Sequence, residues 1–128
     1  MLKRLDNIGI AVRNARTMHA FYSRIPGFSV PPLDDDATMF SVTVGGLTLF
    51  VFQTSARDQT ARTDDYLHNP PGLDHLAFEV ADIEAAGRQL EQLGIVFLSP
   101  AVGAPGEFRY RGFQDPEGNM LYIIQLPG

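Results

Sequence analysis

The chain repeats itself, and the repeat constrains its fold more than any other feature. Leu5-Asp6-Asn7-Ile8-Gly9-Ile10-Ala11-Val12 returns sixty-eight positions later as Leu73-Asp74-His75-Leu76-Ala77-Phe78-Glu79-Val80. Each octet alternates in the period of a half-buried strand. A helical pattern follows each: Ala15–Ser23, capped by Asn14 or the polar residue before it, and Ile83–Leu93, capped by Asp82. Both helices stop at a glycine, in Pro26-Gly27-Phe28 and Leu93-Gly94-Ile95. Each copy then ends in a hairpin. Met39–Val44 and Leu47–Gln53 flank Gly45-Gly46, while Phe108–Gln114 and Met120–Leu126 flank Asp115-Pro116-Glu117-Gly118-Asn119.

Each half therefore reads β-α-β-β-β, with a short strand expected near Phe28–Val30 and Val96–Ser99. The fold class is α+β: two βαβββ modules whose curved mixed sheets form a cavity. The expected organisation is one domain over residues 1–128, made of modules 1–53 and 73–128, with 54–72 as a connector rather than an element. A half-module of roughly 50 residues buries too little surface to be comfortable alone, so the sheets must pack, within one chain or between chains.

Composition narrows the function classes. With 45% hydrophobic and 20% charged residues, the 128-residue chain has the makings of one core. The longest strongly apolar run, around Leu47–Phe52, is far short of the roughly 20 residues that cross a bilayer, and no membrane partner is expected. Met1–Asp6 is not followed by an apolar stretch, which makes a cytoplasmic setting the expectation. The lack of cysteine excludes disulfide scaffolds, thiolate metal sites and a cysteine nucleophile. Net charge is −5, carried by the second half, since residues 54–128 hold five basic and eleven acidic groups. No basic stripe offsets it, so nucleic acid is not an expected partner. Asp34-Asp35-Asp36 reads as a solvated loop tip, and His19 and His68 as surface groups.

Strand alternation sorts the candidate site residues. One face of the first strand carries Asn7, Gly9 and Ala11, and its repeat carries His75, Ala77 and Glu79. The hairpins add Thr48, Phe50 and Phe52 to one set, and Met120, Tyr122 and Ile124 to the other. The opposite faces, Ile8-Ile10-Val12 and Leu76-Phe78-Val80, are uniformly apolar and suit packing under the helices.

These features resemble the vicinal oxygen chelate superfamily, which holds glyoxalases, extradiol dioxygenases, fosfomycin-resistance thiol transferases and bleomycin-resistance proteins. The resemblance rests on Leu5–Val12, Ala20-Phe21-Tyr22 to Pro26-Gly27-Phe28, Leu73–Asp82 and, most specifically, the Asp115–Asn119 turn. It implies a paired βαβββ fold and a homodimer. It also implies where a metal would sit: the matching positions are Asn7, Phe50, His75 and Tyr122. Of these only His75 is a good ligand. Asn7 offers an amide oxygen, Phe50 offers nothing, and Tyr122 would have to ionise from a pKa near 10. A usable site normally needs three protein ligands.

The expected cofactor is therefore none, with His75 as the weak metal candidate and Glu79 two positions along on its face. The expected ligand-binding set is Asn7, Phe50, Phe52, His75 and Glu79, together with Phe108, Tyr110, Met120 and Tyr122. Arg109 and Arg111 alternate with Phe108 and Tyr110 and face away. An aromatic wall with a few polar groups suits a metal-free protein that binds a small, partly apolar or cationic molecule, although the same rings would also simply fill a core. The alternative is a glyoxalase- or dioxygenase-like enzyme in which one divalent ion is held by a degenerate set, with His75, Glu79 and Tyr122 as catalytic candidates.

Overall fold

Each copy of the repeat builds its own three-stranded mixed sheet. The computed structural model describes residues 1–58 and 61–128, and the chain divides into two units, Met1–Gln59 and Thr60–Gly128.

In the first unit, β1 (Asn7–Val12) leads through α1 (Ala15–Ser23) to the hairpin of β2 (Met39–Val44) and β3 (Leu47–Gln53). The sheet order is β1-β3-β2, with β1 parallel and β2 antiparallel to β3. The second unit repeats this with β4 (His75–Glu79), α2 (Ile83–Gln92), β5 (Arg109–Gln114) and β6 (Met120–Gln125), in the order β4-β6-β5.

Matching side chains start both helices. The Asn14 carboxamide accepts from Thr17 N at 3.0 Å, and the Asp82 carboxylate from Glu84 N at 3.0 Å and Ala85 N at 3.2 Å. A second amide closes each N-terminus from the sheet: Gln53 Oε1 accepts from Ala15 N at 3.0 Å, and Gln125 Oε1 from Ile83 N at 2.8 Å. These glutamines place the helix on one face of each sheet. Leu49 and Val51 share that face with Gln53, as Leu121 and Ile123 do with Gln125, and all four are buried. Met18, Tyr22 and Val42 complete the first core; Ile83, Leu90 and Phe113 complete the second. Each such side chain stabilises its unit by about 1.5–3 kcal/mol. The opposite positions of β1 and β4 form the more exposed side of the alternation, with Asn7, Gly9, Ala11, His75, Ala77 and Glu79 exposed.

Several expectations need correction. The short strands reduce to single bridges, Ser29 with Thr43 and Phe97 with Phe113, because Pro26, Pro31, Pro32 and Pro100 cannot donate to a ladder. Leu93 is the C-cap of α2, and Phe108 precedes β5. His19 is half-buried, with Nε2 2.7 Å from Pro31 O and its ring edge-on to Phe40.

From Ala61 onward, the segment expected to be a plain connector carries a 3-10 turn, Tyr66–His68, and is bonded into the second unit, while Thr54 N donates to Val12 O in the first. Arg62 N donates to Gly118 O at 3.0 Å, and Gln114 Nε2 to Arg62 O at 2.5 Å. The turn that receives it is organised by Asp115, which is buried and accepts from Glu117 N, Asn119 N and Asn119 Nδ2 at 2.8–3.0 Å. Gly118 has φ +84°, and a Cβ there would stand 2.8 Å from Ala61 Cβ. Glycine thus serves both the turn and the docked connector. Among the described residues, no helix is long and apolar enough to cross a membrane.

Candidate functional site

On the face of the second sheet turned from α2 lies a cavity of about 240 Å³. Its walls are the rings of Tyr66, His75, Phe108, Tyr110 and Tyr122, over a floor of Ala77 and Ile124. Strand register explains the assembly. His75 and Ala77 come from β4, and Tyr122 and Ile124 from the same face of β6, with Ala77 opposite Tyr122. Across the sheet, Gly112 of β5 pairs with Tyr122. A Cβ at Gly112 would meet Tyr122 Cε1 at 2.8 Å and Met120 Cε at 2.7 Å, so the phenol ring lies over the space a side chain would occupy.

Tyr122 is 3% exposed, and its hydroxyl is buried with no hydrogen-bond partner among the described residues. Such a group keeps its desolvation cost until something pairs with it. Burial, followed by the charges of Asp64 and Asp74, pushes this phenol up to about 12. Burial and neighbouring Tyr66 and Asp64 also raise Tyr110 above the usual phenol value.

His75 is held from behind. Its Nδ1 lies 2.7 Å from Asp74 Oδ2, and Asp74 Oδ1 accepts from Asn69 Nδ2 at 2.7 Å with Arg62 NH1 at 3.6 Å. Burial works to raise the Asp74 carboxyl, but the bonds from His75 and Asn69 and the charge of Arg62 leave it below the ordinary carboxylate value. An ionised carboxylate only accepts, so Nδ1 carries a proton toward it; in the neutral ring that tautomer makes Nε2 the acceptor.

The other expected residues distribute as follows. Met120 is buried against Gly112 and does not line the cavity; Glu79 is exposed and outside the lining. Arg109 and Arg111 lie on the helix side. Arg109 pairs with Glu84 at 2.8 Å; Arg111 donates to Ser99 O and covers the Phe97 ring at 4.1 Å. In the first unit, Phe50 and Phe52 stack at 5.6 Å, and Asn7 Nδ2 donates to Asp6 at 2.9 Å. Tyr66 is the wall residue that strand alternation missed, because it comes from the connector. Its one signal was an aromatic ring amid Thr63-Asp64-Asp65, before Asn69-Pro70-Pro71-Gly72.

The donors in this unit do not fit a divalent metal ion. His75 supplies one nitrogen, Tyr66, Tyr110 and Tyr122 are phenols, of which the latter two are pushed further from ionising, and Ala77, Phe108 and Ile124 offer only carbon. Among the described residues, no three His, Asp or Glu side chains stand close enough to share an ion.

A duplicated βαβββ chain with a cavity on the helix-free face defines a class of scaffold that carries many different chemistries. This chain belongs to the glyoxalase/bleomycin resistance protein/dioxygenase superfamily, whose profile it matches over residues 4–123. Solved structures share its fold. SMU.1112c is 24% identical with a TM-score of 0.74, covering 97% of this chain and 99% of that one. The glyoxalase family protein from Enterococcus faecalis is 25% identical (TM-score 0.71; 95% and 97% covered). The genomically encoded fosfomycin resistance protein FosX from Listeria monocytogenes is 17% identical (TM-score 0.73; 98% and 94%). No curated protein matches the chain.

Proposed function

We propose that the chain binds a small, partly apolar molecule in the aromatic cavity of its second unit, without a divalent metal. The observation that carries this reading is the Tyr122 hydroxyl, buried at an apolar wall and left without a partner. A folded chain tolerates that loss where a ligand acceptor makes it good. The cavity, at about 240 Å³, is smaller than the roughly 300–1,000 Å³ of drug-sized sites, which favours a compact ligand. The proposal includes a homodimer, which the family resemblance implies, and a cytoplasmic setting; light scattering tests the first and fractionation the second.

A thermal-shift series with para-substituted phenols, beside elemental analysis, tests the reading. The expected result is stabilisation that grows with ligand concentration and is lost in Tyr122→Phe. Stoichiometric metal that disappears in His75→Ala would overturn the metal-free part.

A catalytic reading draws on the Asp74–His75 hydrogen bond, which leaves Nε2 as a proton acceptor at the cavity wall beside a phenol donor. Under that reading the ligand exchanges a carbon-bound proton with solvent deuterium, and His75→Gln abolishes exchange while binding persists.

A further inference from the structure

Four rings of the cavity form a closed circuit. Tyr66 meets His75 at 6.5 Å, His75 meets Tyr122 at 4.6 Å, Tyr122 meets Tyr110 at 5.7 Å, and Tyr110 returns to Tyr66 at 6.5 Å. Successive planes are inclined by 60–75°, so the rings stand as walls around a common space rather than stacking on one another. An aromatic face is the negative end of the ring's quadrupole, and walls of this kind attract positive charge.

A carboxylate reinforces the field. Asp64 is half-buried and has no ion-pair or hydrogen-bond partner among the described residues, yet its charge reaches both Tyr110 and Tyr122. The nearby cations are already engaged. Arg62 lies 3.6 Å from Asp74 and donates to Pro70 O at 2.7 Å, and Arg109 and Arg111 are on the opposite face. A bare metal ion would lack donors here, whereas an alkylated nitrogen needs none and presents methyl groups to Ala77 and Ile124.

From this geometry we infer that the second unit takes a small methylated ammonium ion. Its nitrogen sits among Tyr66, His75, Tyr122 and Tyr110, within the field of Asp64, and an acceptor elsewhere on the ligand pairs with the Tyr122 hydroxyl. The inference rests on the small-molecule reading above and names the ligand's chemical class.

Isothermal titration of the full chain compares choline with 3,3-dimethylbutan-1-ol, which has the same shape without the charge, and with p-cresol as a neutral aromatic. Choline is expected to bind about tenfold more tightly than the alcohol. In Asp64→Asn and in Tyr66→Leu that ratio should fall by about threefold to tenfold. Tyr66 is exposed and Asp64 half-buried, so neither change opens the core. Asp35→Asn removes the same charge from an exposed loop of the first unit and should leave the ratio unchanged. If the alcohol or p-cresol binds as well as choline, the ammonium inference fails and the small-molecule reading stands. If none of the three binds, both fall. Choline binding that ignores Asp64→Asn and Tyr66→Leu lies elsewhere and also overturns the inference.

Discussion

The ring of His75 meets the ring of Tyr122 edge-on, with centroids 4.6 Å apart and planes at 75°. These residues occupy matching faces of neighbouring parallel strands, and both line the cavity.

Tyr122→Phe removes a buried hydroxyl that has no partner, and should stabilise the ligand-free protein by about 1 kcal/mol in urea unfolding at pH 7. The same variant should change the alkaline limb. A phenol raised to about 12 when folded favours folding below its unfolded value near 10, and that contribution is lost as pH climbs toward 12. Wild type should lose about 2–3 kcal/mol more than Tyr122→Phe between pH 9.5 and 12, with the last tyrosinate absorbance step missing in the variant.

Asp74→Asn tests the support behind His75. The folded carboxyl lies below 3.8, so its stabilisation is complete above that value and falls away as pH drops through the lower, folded one. At pH 6 the variant should be weaker by about 1 kcal/mol, since the pair is partly exposed. Below pH 3 the difference from wild type should shrink, read by urea midpoints across the acid range.

Gly112→Ala would set a methyl group against Tyr122 and Met120 at less than van der Waals distance. A cost of about 1–3 kcal/mol is expected, with an altered near-ultraviolet tyrosine signal as the ring is pushed toward the cavity. An unchanged signal with unchanged stability would show that the ring has room to move.

Gln53→Ala and Gln125→Ala each free the first helical N–H of their own unit. Each should cost about 0.5–1.5 kcal/mol, and the two costs should be similar because the bonds are equivalent. Paired urea curves measure this directly.

Much of the scaffold was readable from residue order alone, because its signals are local. Asn14 and Asp82 mark helix starts, Gly45-Gly46 and the Asp115–Asn119 turn mark hairpins, and the two octets mark strands. The site was readable where it follows alternation: His75 and Ala77 on β4, and Tyr122 and Ile124 on β6. It was unreadable where placement depends on distant bonds. Tyr66 reaches the wall only because Arg62 and Ala61 dock on the turn around Gly118, a contact that no local pattern encodes. Met120 shares the alternating face yet is covered, because Gly112 lets its methyl settle inward. The proline-flanked strands failed for a related reason: apolar content there invites a ladder that the backbone cannot donate to.

The docked connector has a practical consequence for anyone dividing the gene. A fragment begun at Leu73, where the repeated octet starts, would discard Tyr66, Asp64, Arg62 and Asn69 together. It would keep every strand and the helix of the second half and still lack a side of the chamber and the props of Asp74. The workable cut lies upstream of Ala61, and a fusion tag tolerated at the Gly45-Gly46 tip would not be tolerated between residues 61 and 72.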